Sequence, residues 1–252
     1  MERCHRVAIR QRRSQRVGAA LYDGVVTVHV PNLRDVGGVI NDDGRRVRSG
    51  LLLRSALPAA DDLVPEDFAW PPSVVLDLRS PLELLEGHPL DSLGARVVNL
   101  PLLDTLQPGQ HHEHDGTLAS LYRQVHNHAA HLLVDLVTEI ADADGPVLVH
   151  CAAGKDRTGI AIALVLRLLD VRHEEVLADY LLTEQAAVAI DRRLNRAHDV
   201  SGYPEAFYLV VPDALTEVMD MWDGHPGGVE GWFLASGGEP DVVERLRERF
   251  LA

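Results

Sequence analysis

The chain has 252 residues, 46% hydrophobic and 25% charged, which is ordinary for a globular protein with a sizeable core. Lys and Arg number 24 against 38 Asp and Glu, and the resulting net charge of −14 excludes nucleic-acid binding through the general surface. No apolar run approaches a membrane span, the first residues hold no signal-like apolar stretch, and two cysteines, Cys4 and Cys151, make no disulfide framework. The expectation is a soluble cytoplasmic protein with no stable membrane insertion.

Residues 1–20 form a basic N-terminal arm, with six Arg and one Glu in the first sixteen. The remainder, 21–252, reads as one domain. "VVTVHV" (25–30) is a β-branched strand, "NLRDVGG" (32–38) a turn, and "RVRSGLLLRS" (46–55) a second extended segment that can pair with the first as a hairpin. "SVVLDLR" (73–79) and "ARVVNL" (95–100) are short apolar runs of the buried parallel kind, and "SPLELLEGHP" between them reads as a short helix. Residues 117–142 carry apolar side chains at three- and four-residue spacing and predict one long helix. "GPVLVHC" (145–151) is another buried strand, and Gly159–Leu169 is apolar almost all round, so that helix belongs in the core. Helices over 173–186, 187–197, 212–222, 226–235 and 239–250 complete the chain. The pattern predicts an α/β three-layer sandwich with a central, mostly parallel sheet and a helical C-terminal section, in which 183–211 reads as a surface lid.

The chemistry concentrates in "HCAAGKDRTG" (150–159), where Cys151 and Arg157 stand in C-x5-R spacing between a buried strand and a buried helix. A strand-to-helix turn converges backbone N–H groups at a helix N-terminus, which makes an anion cradle. Ala152, Ala153 and Gly154 are small enough for close backbone approach. The helix terminus, Lys155 and Arg157 favour a thiolate at Cys151, and the same groups match phosphoryl oxygens. A thiolate beneath a phosphate cradle attacks phosphorus in line and gives a phosphocysteine that water hydrolyses. That chemistry calls for no cofactor and no metal. The histidines of "HHEHDG" (111–116), with His126, His128 and His131, read as solvated residues.

"HCAAGKDRTG" resembles the signature of the cysteine-based protein tyrosine phosphatases, and its "GKDRTG" ending resembles the bacterial branch of that family. "NLRDVGG", "GLLLRSALP", "VVLDLRS", "ADYLLTE" and "GGVEGWFLASGGEPDVVERLRERFL" extend the resemblance over roughly 30–252. It implies a parallel sheet flanked by helices and a helical lid at about 180–208. It also implies Asp156, a loop aspartate, as general acid, with Asp77 matching a second family aspartate. Asp104 is a third candidate, placed after a strand as the mobile-loop acid is in eukaryotic relatives. Cys151 is then the nucleophile and Arg157 the phosphate fork, while Ala152, Ala153, Gly154, Lys155 and Thr158 line the substrate. Thr158 is expected to donate to the cysteine sulfur, and His150 to orient the loop through backbone hydrogen bonds. Arg34, Arg54 and Arg79 read as structural ion-pair residues, Asn32 and Asp35 as turn and brace residues.

The expected function is phosphomonoester hydrolysis on phosphorylated protein or phosphoinositide. A small soluble phosphate ester is the alternative substrate, and a non-catalytic phosphate-recognition module the alternative of another class.

Overall fold

The computed structural model describes residues 21–22, 25–26, 29–84, 87–103, 117–197 and 209–252. The N-terminal arm with Cys4, Asp104, the histidines at 111–114 and residues 198–208 of the expected lid lie outside the described residues. Strands β1 (Leu21–Tyr22) and β2 (Val25–Val26) pair with each other. The central sheet holds β3 (Arg34–Asp35), β4 (Leu52–Ser55), β5 (Val74–Asp77), β6 (Arg96–Asn99) and β7 (Val147–His150), in the order β3-β4-β7-β5-β6. Four of these strands run parallel, and β3 joins β4 antiparallel at the edge.

Alternation along the strands explains why the sheet forms here. Leu52, Val74, Leu76, Val147 and Val149 face the larger core, while Leu53, Val75 and Leu148 face a smaller one with Leu90 and Ala95. The larger face is covered by helices; the smaller is closed by Leu33, Phe68, Trp70 and Val97 from turns and strand edges. The antiparallel partner of β4 is therefore not the 25–30 segment expected from sequence but Arg34–Asp35, inside the stretch that reads as a turn. The Asp35 carboxylate accepts from Gly37 N–H at 2.9 Å and Gly50 N–H at 2.7 Å, which ties both ends of that connection together.

The helices are α1 (Leu118–His128), α2 (Ala130–Asp142), α3 (Asp156–Leu168), α4 (His173–Leu181), α5 (Ala187–Ala197), α6 (Pro212–Asp223), α7 (Gly228–Ala235) and α8 (Pro240–Phe250). The expected single helix over 117–142 is broken at Ala129, whose φ of −113° and ψ of 17° leave the helical range. Of the "SPLELLEGHP" helix the described residues form one 3-10 turn, Pro81–Glu83; other such turns are Asp91–Leu93 and Leu182–Ala186, the latter joining α4 to α5. Every residue of α3 from Thr158 to Leu166 is buried, and each such Ile, Leu or Val contributes about 1.5–3 kcal/mol of apolar burial. The helix stops where Asp170 takes a left-handed φ of 60° and Val171 N–H returns to the Leu166 carbonyl at 3.0 Å. Among the described residues no helix is long and apolar enough to cross a membrane.

Candidate active site

The parallel strands end in register: Ser55, His150 and Asp77 are paired across β4, β7 and β5, and Asn99 follows on β6. This carboxyl edge is where open α/β sheets gather ligands. From it the chain turns through Cys151–Lys155 into α3, and the backbone at the end of β4 approaches so closely that only glycine fits at 154. Gly154 has φ +65°, and a Cβ there would stand 2.2 Å from the Ser55 carbonyl oxygen.

The loop carbonyls are drawn outward. The Cys151 oxygen lies 3.1 Å from His150 Nδ1, the Ala152 oxygen accepts from Leu57 N–H at 3.1 Å, and the Gly154 oxygen accepts from Asn32 Nδ2 at 2.8 Å and Arg54 Nη2 at 2.9 Å. The amides of Ala152 to Arg157 donate to no described residue. With the carbonyls committed outside, these N–H groups and the first turn of α3 form a concavity of positive potential above Cys151. Cys151 itself is 3% exposed and carries a free thiol.

Arg157, the second residue of α3, is clamped by Glu83: Nη1 donates to Oε2 at 2.5 Å and Nη2 to Oε1 at 2.8 Å, while Nη1 also reaches the Leu78 carbonyl at 3.2 Å. The clamp uses the end of the guanidinium. Its side edge, Nε–H with the second Nη2–H, has no hydrogen bond among the described residues and is the edge that matches two phosphoryl oxygens. Burial works against the charge on Arg157, but Glu83, Cys151 and Asp156 outweigh it and hold its pKa above the ordinary arginine value. Burial likewise pushes the Glu83 carboxyl up, yet Arg157 and the Ser80 amide hold it below the usual carboxylate range. Ser80 and Glu83 form a capping box on the 3-10 turn, which aims Glu83 at the loop.

The Lys155 side chain, expected from sequence to meet the substrate, is engaged by protein groups. Its ammonium, on a residue 5% exposed, donates to Asp156 Oδ1 at 2.7 Å and to the Leu209 carbonyl at 2.9 Å. Asp156 Oδ1 also accepts from Tyr122 O–H at 2.8 Å, and the Tyr122 and Tyr180 hydroxyls are 2.8 Å apart. Burial, then Asp156 and Tyr180, push the Tyr122 phenol well above its usual range, so it remains a hydrogen-bond donor. Asp156 Oδ2 makes no hydrogen bond to a described residue.

Asp77 is 1% exposed and bound by Arg79 through Nε and Nη2, the latter at 2.7 Å. Burial raises its pKa, but neighbouring His150 and Arg79 hold the carboxyl below the usual range. With both oxygens taken up by Arg79, this carboxylate is poorly suited to deliver a proton. Thr158 is fully buried and its hydroxyl has no hydrogen-bond partner among the described residues, so the expected bond to the Cys151 sulfur is not formed. Asp77, His88 and His150 offer ligand atoms within 4.8 Å of one another. Their lone pairs are already engaged, because the two Nε2 atoms are 2.9 Å apart and Arg79 holds the carboxylate. This is closer than two ligands on one ion at about 2.0–2.1 Å in tetrahedral geometry, so the trio does not fit a metal as it stands.

A buried brace locks the loop to α4. Asp179 accepts from Arg34 Nε at 2.7 Å and from Arg54 Nη1 at 2.5 Å, and Arg34 also bonds the Asn32 side chain. Arg54 is 0% exposed and is the same residue that holds the Gly154 carbonyl. Arg34, Arg54 and Arg79 thus occupy ion pairs, as the sequence suggests. Glu83, Tyr122, Asp179 and His88 were not among the sequence candidates. Glu83 had a signal in the S-x-x-E of "SPLE"; Tyr122 looked like one more core residue of its helix.

A family model described as "Tyrosine phosphatase family" matches residues 26–252. The chain is 32% identical over 172 residues to a protein of Cupriavidus necator provisionally named a tyrosine-protein phosphatase, covering 62% of this chain and 61% of that one. It is 41% identical over 76 residues to the triple specificity protein phosphatase PtpB of Mycobacterium tuberculosis, covering 29% and 27% of the two chains. The matched part thus spans less than two thirds of the length of these relatives. Among solved structures, the Siw14 catalytic core aligns with a TM-score of 0.40 at 15% identity, over 66% of this chain and 84% of that one.

Proposed function

Because the chain belongs to the tyrosine phosphatase family, we propose that it hydrolyses phosphomonoesters through a phosphocysteine on Cys151. The observation that carries the reading is the loop in which the carbonyls of Cys151, Ala152 and Gly154 are held outward while six successive amides are left to face an anion over the cysteine. In the first step the Cys151 sulfur attacks phosphorus, the bond to the ester oxygen breaks, and the departing oxygen takes a proton. The loop amides and the side edge of Arg157 hold the three equatorial oxygens as charge redistributes. In the second step water attacks the phosphocysteine, the P–S bond breaks, and inorganic phosphate leaves.

The proton donor we favour is Asp156. Its Oδ2 is uncommitted and its side chain is 20% exposed, whereas Asp77 is closed in by Arg79. Lys155 and Tyr122 then act on Oδ1, fixing the carboxyl so that the other oxygen faces the leaving group, and the same acid takes the proton of the attacking water. Ala152, Ala153 and Gly154 supply amides to the phosphoryl group. His150 and Asp77 act behind the loop.

The substrate class we infer is phosphorylated protein side chains or phosphoinositides, in line with the triple-specificity name of the mycobacterial relative. The net charge of −14 supports a small soluble phosphate ester as a second reading, because an acidic surface repels acidic peptides and anionic membranes. The reducing cytoplasm is the compartment that suits a free Cys151. An aryl phosphate assay in EDTA tests the chemistry: Cys151→Ser should lower kcat by about three orders of magnitude or more, and activity surviving that change would sink the mechanism. A panel of phosphopeptide, phosphoinositide and sugar phosphate then ranks the substrates by kcat/KM.

A further inference from the structure

One buried chain of hydrogen bonds reaches the nucleophile from behind. Leu90 N–H donates to His88 Nδ1 at 3.1 Å. A backbone amide can only donate, so this Nδ1 carries the lone pair and a neutral ring holds its proton on Nε2. That Nε2 lies 2.9 Å from His150 Nε2, which must accept. His150 then carries its own proton on Nδ1, 3.1 Å from the Cys151 carbonyl oxygen. Each acceptor determines the next donor, so a backbone amide at residue 90 sets the tautomer beside the cysteine.

We propose that His88 is a positioning residue for Cys151: it holds His150 in the Nδ1–H tautomer, and through that bond keeps the Cys151 carbonyl turned out of the anion cradle. A carbonyl released into the cradle would set a negative dipole against the substrate phosphate. The opposite tautomer of His150 would face the Cys151 oxygen with a lone pair and His88 with a second N–H.

The surroundings favour two neutral rings. His88 is 8% exposed and His150 fully buried. Asp77 Oδ1 stands 3.8 Å from His150 Nε2 and would favour a charged ring, but Arg79 engages that carboxylate and opposes a cation. Asp91 is spent on the His88 amide at 2.8 Å. Burial, reinforced by His88 and Arg79 against Asp77, pushes His150 down to about 4. Burial also lowers His88, again with Asp77 opposed and Arg79 assisting.

The proposal rests on Cys151 being the nucleophile, and its test reads the rings separately from turnover. In the wild-type protein at pH 7, nitrogen-15 spectra of the histidines should show His88 protonated at Nε2 only and His150 at Nδ1 only. An Nε2–H tautomer or an imidazolium at His150 overturns it. In His88→Asn the side-chain oxygen still accepts from Leu90 N–H but the donor to His150 is gone, whereas His88→Gln extends an amide N–H toward the old Nε2 position. The Asn variant should lose about tenfold in aryl phosphate kcat with KM changed less than about threefold, and about tenfold in the rate of Cys151 alkylation by iodoacetamide at pH 6.5. Gln should restore at least about a third of both rates. Equal impairment of the two variants, or rates within about twofold of wild type in both, refutes the donor role. Should the Asn variant not fold, the wild-type spectra decide. If wild type turns over no phosphate ester, the function proposed above fails while spectra and alkylation still test His88.

Discussion

Replacing Asp179 by Asn removes one negative charge from a point where two guanidiniums converge. In the folded protein Asp179 answers both Arg34 and Arg54, and Arg54 has no exposure to water. Taking one partner from a buried ion pair costs about 3–5 kcal/mol, because the remaining charge is left without compensation. Arg34 keeps the Asn32 side chain and the Asp179 carbonyl as acceptors, so the lower end, about 3 kcal/mol, is expected. With a urea slope of about 3 kcal/mol per M, the unfolding midpoint should fall by about 1 M. The pH dependence follows from the carboxyl's state. Burial raises the pKa of Asp179, but Arg54 and Arg34 hold it below the ordinary value in the folded protein. A depressed carboxyl contributes its stability fully above the unfolded value of about 3.9 and loses it as pH falls through the folded one. The gap between wild type and variant should therefore be constant from about pH 8 to 5 and close only below about 4. Arg54 also braces Gly154, so kcat/KM on an aryl phosphate should drop about tenfold. A midpoint shift under about 0.3 M, or a gap that already narrows between about pH 8 and 5, would show that the brace is not a buried charge cluster.

Glu83→Ala frees Arg157 and should lower kcat/KM by about tenfold and weaken inhibition by inorganic phosphate; tighter phosphate inhibition would mean that Glu83 competes for the fork instead of aiming it. His150, held near 4 by burial, leaves the unfolded chain binding more protons at any pH between that value and about 6.5. Stability should accordingly decline on acidification through this window, by up to about 3 kcal/mol, and denaturation curves of His150→Asn should lack that part of the slope. Tyr122→Phe removes a donor to Asp156 and should cost about three- to tenfold in kcat with an unactivated alkyl phosphate, and less with nitrophenyl phosphate; equal losses on both would separate Tyr122 from proton transfer.

Periodicity was enough to find β4, β5, β7 and α3, because these elements are buried on all sides; β6, expected as a buried strand, is instead the sheet's edge, with Arg96 and Asn99 exposed. It misjudged the start of the sheet, since the β3 strand is two residues long and is ordered by the Asp35 carboxylate and by pairing with β4. The break at Ala129 left no mark in the sequence, because both flanking helices keep their apolar faces on the same core. In the site, spacing alone brought Cys151, Arg157 and the loop together. What spacing could not carry was the direction of each side chain: Lys155 and Thr158 sit in the right loop but form other contacts or none. Glu83 lies 74 positions from Arg157, His88 lies 62 from His150, and Asp179 acts on the loop through Arg54, 125 positions away, by tertiary folding that no local pattern encodes.

The contact between Lys155 and Leu209 gives the protein an unusual chemical address. The chain contains a single lysine, and its ammonium is enclosed between a carboxylate and a main-chain oxygen. An amine-selective reagent therefore meets one side-chain amine, and only when the Leu209 carbonyl lets go of it. The rate at which that amine is labelled is a clock on the parting of the two, readable by mass alone and without any substrate, dye or mutation.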